Sequence, residues 1–525
     1  MPPGIPYIIG NELAERFSYY GMRAILVVFM TQYLAFSQSE ATIWYHQFSI
    51  AVYATPFVGA LLSDIFLGKY RTIILLSLVY CAGHVVLALN ESREGLALGL
   101  GLIAMGSGGI KPCVSAHVGD QFQPHQAHML ERVYSYFYLS INLGAFVSTL
   151  LTPVLLETVG PQVAFGTPGA LMFLATFVFW AGRREFIAIK PFRQRFLAEL
   201  KSPQGLRAIG VLAVIYFGFV AFFWSLFDQT ASTWVIQAQN GLMDKTINLG
   251  FTTIELLPSQ IQAANPVLIL TLTPLFTFLL YPFLRRYVGT PSLGKIAAGL
   301  MLTSVSFFIV GWAEGRMADG ETVSIGWQFL AYVVITAAEV MVSITALEFA
   351  YTQAPNAMKS FIVAFYLLSV SVGNVITTVV NKQIQEPLAP TAMIAGDPTR
   401  LRFEDIARFE PSQRIDIVGA TGVEVVADDG STRPLGGTYL VSAVDSGAGT
   451  VALKTVQQEP LVTRGTFSAD TRVSTYRMTG ADYFYFFAWM VLTAGIVFSV
   501  VARFYRERQF IQSLDDAERI PDTQR

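Results

Sequence analysis

Glu12-Leu13-Ala14-Glu15-Arg16-Phe17-Ser18-Tyr19-Tyr20-Gly21-Met22-Arg23 lies in the first apolar stretch of the chain and decides how the rest is read. Its ionisable and phenolic residues, Glu12, Glu15, Arg16, Tyr19, Tyr20 and Arg23, fall at offsets of 0, 3, 4, 7, 8 and 11, which is one face of an α-helix. Residues 8–36 around them are long and apolar enough to span a bilayer. Ionisable groups inside hydrocarbon are costly and persist only when paired or facing water. This face cannot meet lipid, so it lines a polar path or packs on other helices.

Composition agrees. Of 525 residues, 53% are hydrophobic and only 14% charged, and the mean hydropathy is +0.49, which no water-facing surface sustains. About twelve stretches qualify as spans: 8–36, 41–65, 72–90, 95–117, 132–156, 165–182, 207–236, 254–284, 292–313, 325–352, 359–382 and 481–504. A net charge of −2 leaves no basic field for nucleic acid. Cys81 and Cys113 sit in separate apolar runs and read as small core residues rather than as a disulfide or a metal site. The short, uncharged lead at residues 1–7 is no cleavable signal, so the first helix is expected in the mature chain.

Lys and Arg concentrate in connections 66–71, 183–206 and 285–291 and after 504, whereas the alternate connections carry chiefly Arg93, Lys245 and Arg316. This bias predicts that both termini are cytoplasmic. The expected organisation is a six-helix lobe over 1–182, a cytoplasmic linker 183–206, helices 7 to 11 over 207–382, an outer insert 383–480, a twelfth helix 481–504 and a cytoplasmic tail 505–525. Spans split six plus six by a basic linker match a two-lobed secondary transporter. Within the insert, Ile415–Val418, Val423–Val426, Thr438–Val441 and Val451–Leu453 alternate β-formers between turns at Asp428-Asp429-Gly430-Ser431 and Asp445-Ser446-Gly447, predicting a small β-rich module. The fold class is therefore an all-α polytopic membrane protein with one β-rich extramembrane insert between helices 11 and 12.

Other polar residues fall inside predicted spans. Lys111 sits in Gly108-Gly109-Ile110-Lys111-Pro112 at a depth similar to that of Glu15, so the two could pair in one state and separate in another. Asn142 lies in the fifth span, Asp228 follows Trp224 by four residues, and Glu339 precedes Ser343 by four, so each of the last two pairs shares a face. Arg23 and Asp228 both lie toward the outer side, one in each lobe, where an ion pair would close the outer mouth. Of the five histidines, His84 reads as a packed helix residue. His117, His125 and His128 read as solvated loop residues whose spacing is too weak for a metal site.

The motif Glu12-Leu13-Ala14-Glu15-Arg16-Phe17-Ser18-Tyr19-Tyr20-Gly21 resembles the ExxERFxYYG of the proton-dependent oligopeptide transporter family (POT, also called PTR) of the major facilitator superfamily. Gly106–Pro112 with Asp120-Gln121-Phe122 resembles the first family signature, and Phe137–Gly144 the second, FYxxINxG. Phe223–Gln229 resembles the FWxLFDQ of the seventh helix. Glu339–Ser343, Leu347-Glu348-Phe349, Ala354-Pro355 and Met358-Lys359-Ser360 resemble helices 10 and 11. Gly59–Arg71 is similar to the superfamily loop motif after the second helix. Three departures stand out: Ala145 replaces a usual Ser, Tyr366 stands where many relatives have Trp, and the outer insert lies between helices 11 and 12, whereas the animal members carry theirs between 9 and 10.

The resemblance implies a major facilitator fold and a proton-coupled symporter of di- and tripeptides, with protons as coupling ion and no organic or metal cofactor. It maps peptide-carboxylate binding onto Arg16 and Lys111, backbone contacts onto Tyr19, Tyr20, Tyr53 and Asn142, and amino-terminus binding onto Glu339 with Asn265 and Ser343. Tyr138, Trp224 and Tyr366 complete the implied pocket. Proton coupling falls on Glu12, Glu15, His46 and Asp228, because movement of a nearby cation switches a carboxyl's proton affinity; Arg23 and Asp228 form the implied gate. The expected setting is a monomer among the lipids of a bacterial inner membrane. A relative carrying nitrate, amino acids or drug-like molecules stays open, as does a receptor acting through the insert. No Ser/His/Asp arrangement or phosphate-cradling loop suggests an enzyme.

Overall fold

The computed structural model describes all residues except 123–125, 127–128, 188–200, 249, 251, 287–290, 354–358, 427–431, 469, 479 and 505–525. The N-terminal lobe runs α1 (Ile5–Val28, extended by a wide turn over Phe29–Tyr33), α2 (Gln38–Leu62), α3 (Lys69–Leu89), α4 (Arg93–Asp120), α5 (Leu130–Thr158) and α6 (Pro161–Ala181). The C-terminal lobe contains α7 (Gly205–Ala238), α8 (Gln260–Leu284), α9 (Ser292–Ala318), α10 (Gly326–Phe349), α11 (Lys359–Gln383) and α12 (Ala481–Phe504). Eleven of these satisfy the length and hydropathy of a membrane span. The exception is α1, which carries Glu12, Glu15, Arg16 and Arg23 and is nonetheless packed inside the lobe. The protein is a multi-pass membrane protein whose least apolar helix is among its most enclosed.

Each lobe has its own apolar core. In the N-terminal lobe α1 packs on α5 and α6, and α3 on α4; across the lobes α2 packs along α11. Gly144 of α5 permits the α1 contact, since a Cβ there would lie 2.6 Å from the Leu13 carbonyl oxygen and 3.2 Å from Arg16 Cβ. The end of α7 crosses the seam, placing Ala231, Val235 and Ile236 in the core of the N-terminal lobe. Burying a Val or Ile side chain is worth roughly 1.5–3 kcal/mol, so this crossing holds the lobes together on the side that carries the insert. We call that face the insert side and the opposite one, where α6 ends and α7 begins, the linker side.

The insert forms one antiparallel sheet: β1 (Gln385–Leu388), β2 (Ala392–Ile394), β3 (Arg400–Arg402), β4 (Arg414–Val426), β5 (Thr432–Asp445), β6 (Thr450–Lys454), β7 (Thr463–Gly465) and β8 (Arg472–Tyr476), in the order β1-β8-β4-β5-β6-β3-β2 with β7 beside β4. Two of the short strands expected from the sequence, 415–418 and 423–426, are parts of the single strand β4. Gly419 (φ 73°) and Gly422 (φ 84°) break its register with β5 as bulges rather than turning the chain. The expected turn at 428–431 falls outside the described residues. The eighth span is also shorter than predicted, because Thr253–Glu255 pairs with Thr246–Asn248 in a hairpin before α8 starts.

Candidate functional site

In the last third of α7 regular hydrogen bonding gives way to a 3₁₀ turn at Asp228–Ala231, followed by Ser232 at φ −126°, ψ −86°. The break places Asp228 and Ser232 at the lobe interface. Arg23 of α1 binds Asp228 Oδ1 through Nη2 at 2.7 Å, and its Nε donates to the Tyr45 hydroxyl. Asn374 of α11 donates from Nδ2 to Asp228 Oδ2 at 2.6 Å and turns its Oδ1 to His46 Nδ1, also 2.6 Å away. Nδ1 of neutral His46 therefore carries the proton, and Nε2 accepts from Ser232 Oγ at 3.0 Å. Tyr45, His46, Asn374 and Ser232 are fully buried, and Arg23 and Asp228 nearly so. Four more hydrogen bonds cross the seam nearby: Ser371 to the Ile50 carbonyl, Gln262 to that of Ala24, Gln260 to that of Leu150, and Gln239 to Thr31. The insert side is closed by a polar network in which both carboxylate oxygens of Asp228 have partners.

Toward the membrane centre lies a cavity of about 540 Å³ shared by both lobes. Tyr20, Arg23, Tyr53, Tyr138 and Asn142 line it from the N-terminal lobe; Trp224, Asn265, Glu339 and Ser343 line it from the other. Its size is that of a small-molecule site. Glu339 accepts from Asn265 Nδ2 at 2.7 Å and has no ion-pair partner among the described residues. Ser343 Oγ bonds the Tyr366 hydroxyl at 2.8 Å behind the wall, and Ala145, the small residue in place of Ser, lines the cavity directly.

A second charged layer lies behind the tyrosines. Arg16 Nε is 2.6 Å from Glu12 Oε1 and 3.2 Å from Glu15 Oε2, so one guanidinium serves two buried carboxylates of its own helix. Lys111 does not pair with Glu15 in this state. Its ammonium lies over the rings of Tyr19 (3.7 Å) and Tyr53 (4.5 Å), and Nζ has no hydrogen-bond partner among the described residues. Tyr53 also faces the cavity, so one ring separates Lys111 from it.

The residues expected to act together thus fall in three neighbouring groups. Arg23, His46 and Asp228 belong to the network that closes the insert side; nine predicted residues line the cavity, Arg23 among them; Glu12, Glu15, Arg16, Tyr19 and Lys111 form the layer behind it. Tyr366 stands behind the cavity wall, against Ser343 and Trp224. One expectation is corrected: His117 is not solvated but buried on α4, with its ring against Phe179 and Phe186, because α4 continues to Asp120. His125 and His128 lie outside the described residues. Sequence reasoning missed Tyr45 and Asn374. Asn374, one of two asparagines in the apolar run of α11, carried a readable signal; Tyr45 carried none beyond adjacency to His46.

Residues 70–202 and 193–394 match a family model described as the POT family. Peptide transporter family 1 of Drosophila melanogaster is 38% identical over 363 residues, 60% of this chain and 48% of that protein. Solute carrier family 15 member 2 of Homo sapiens is 35% identical over 393 residues, 66% and 53% of the respective chains. The chain spans about half the length of these curated relatives. It also resembles the crystal structure of an auto inhibited POT family peptide transporter (30% identity, TM-score 0.72, covering 98% of this chain and 99% of that one). A further likeness is to the in meso crystal structure of the POT family transporter PepTSo (32%, 0.69, 96% and 98%). Since the family match extends over more than half of the sequence, the chain belongs to the POT family and has its two-lobed major facilitator fold.

Proposed function

We propose that the protein is a proton-coupled symporter that imports di- and tripeptides by alternating access, as a monomer in a bacterial inner membrane with both termini cytoplasmic. The observation that carries the reading is the opposed charge of the two cavity walls. Glu339 offers a half-buried carboxylate with no cation among the described residues, which an α-ammonium group would complete. On the other side Glu12, Glu15, Arg16 and Lys111 are two formal anions and two formal cations. Protonating Glu15 leaves one cation in excess, able to hold a peptide carboxylate presented past Tyr53. Proton and peptide therefore favour each other, and a peptide held at both ends draws the lobes together. A simple anion such as nitrate would gain nothing from Glu339.

Uptake of labelled dialanine into proteoliposomes under an imposed inward proton gradient tests the reading. Accumulation that needs the gradient and is suppressed by unlabelled tripeptide is expected. Gradient-independent entry would remove symport, and indifference to tripeptide would remove the broad peptide specificity.

A further inference from the structure

The β-rich insert is joined to the C-terminal lobe at both ends. β1 begins two residues after α11, β8 ends five residues before α12, and the Arg477 amide donates to the Ile384 carbonyl between the two tethers at 2.8 Å. Arg414, the first residue of β4, binds Glu314 of α9 at 2.5 Å. Glu314 is itself buried and accepts from Gln237 at the end of α7 at 2.8 Å, so Arg414 is anchored in the packed C-terminal lobe.

Asp416 is two residues further along β4 and lies on the same face of the strand, but it serves the other lobe. Its carboxylate is buried and accepts from Thr438 Oγ1 at 2.6 Å and from the Tyr476 hydroxyl. Thr438 Oγ1 in turn accepts the Gln38 backbone amide at 2.8 Å, one of the amides at the start of α2 that lack a helical partner. Next to it Gln385 donates to Ser39 Oγ at 2.6 Å, and Gly436 lies so close to the Ala35 carbonyl that a Cβ would come to 2.7 Å. All these contacts to the N-terminal lobe fall within residues 35–39, two turns from His46 on the same helix.

We propose that the insert is a reversible clamp on the insert-side mouth, carried by the C-terminal lobe and releasing the first turn of α2 each time that mouth opens. The reason is geometric. Both chain tethers and the Arg414–Glu314 pair move with one lobe, while residues 35–39 move with the other, so any opening between α2 and α11 must break the second set and leave the first intact. The inference rests on the alternating-access reading above.

Two cysteine pairs separate the halves of the clamp: Ser39→Cys with Gln385→Cys across the lobes, and Glu314→Cys with Arg414→Cys within one. The native Cys81 and Cys113 are buried and leave the labelling clean. With a short, reductant-cleavable bis-methanethiosulfonate linker, the first pair should lose gradient-driven dialanine uptake by roughly tenfold or more and regain it on reduction, because a staple removes one of two required states. The second should stay within about twofold of its reduced form. Unchanged uptake in the stapled first pair overturns the clamp. If no reduced variant takes up peptide, the transport reading fails instead, and spin-label distances in the reconstituted protein then decide the clamp. Labels at Glu91 and Asp470 should show two populations where labels at Asp319 and Asp470 show one; a single population for both pairs overturns it.

Discussion

The gate and the cavity layer are built from the same kinds of residue and treat them in opposite ways. At the gate, Arg23, Asp228, Asn374, His46 and Ser232 satisfy one another in an unbroken chain. Around the cavity, Glu339 has no cation among the described residues and Lys111 rests on aromatic rings. A buried network that is complete specifies one arrangement, because every alternative strands a polar group. Buried charges left incomplete are held ready for partners that come and go. On the proposed function, the first region is a lock for the state seen here and the second is where proton and peptide would be loaded.

The largest effect is expected in the loading layer. Glu15→Gln should abolish proton-driven accumulation while leaving dialanine counterflow, since the excess cation is then permanent. Equal loss of both activities would mean that Glu15 holds structure, and the contrast with the gate would fail. Asp228→Asn acts on the lock. It strands the Arg23 guanidinium, and breaking one partner of a buried pair costs about 3–5 kcal/mol. The insert-side mouth should open, read as modification of a cysteine placed at Thr230 or Gln262, and the exchanged pair Arg23→Asp with Asp228→Arg should recover part of the closure.

Glu339→Gln should raise KM for dialanine by roughly 10- to 100-fold, the worth of a charged hydrogen bond at about 1.5–3 kcal/mol. N-acetyl-dialanine, which has no ammonium, should be transported no worse by the variant than by the wild type. A similar KM penalty for both peptides would move amino-terminus recognition elsewhere.

The smallest effect lies in the insert. Burial raises the pKa of Asp416 above the ordinary carboxylate range, with hydrogen bonds from Thr438, Tyr476 and Ser37 and the charge of Arg414 only partly opposing it. Its contribution to docking is therefore fully present below the ordinary Asp value and is lost as pH rises through the raised one. Hydrogen exchange at residues 37–41 should speed up across that rise, and Asp416→Asn should flatten the dependence.

Much of this architecture is legible in the sequence, for identifiable reasons. Spans are long apolar runs, and the stripe from Glu12 to Arg23 announces itself because charge is rare in hydrocarbon. Partners across the lobes are less visible. Arg23 and Asp228 could be matched by depth and sign, whereas Tyr45 and Asn374 join them only through the break in α7 and the crossing of α2 on α11. The resting place of Lys111 was equally hidden, since periodicity places it on a face but does not choose between a carboxylate and two rings. His117 is buried against expectation because α4 runs three residues past the apolar stretch that ends at 117.

Coupling itself is best tested without any imposed gradient, in proteoliposomes loaded with a pH-sensitive dye and given dialanine from outside. The account predicts that the lumen acidifies as peptide enters and that Glu15→Gln vesicles admit peptide without acidifying. Peptide entry into wild-type vesicles with no change in internal pH would contradict it.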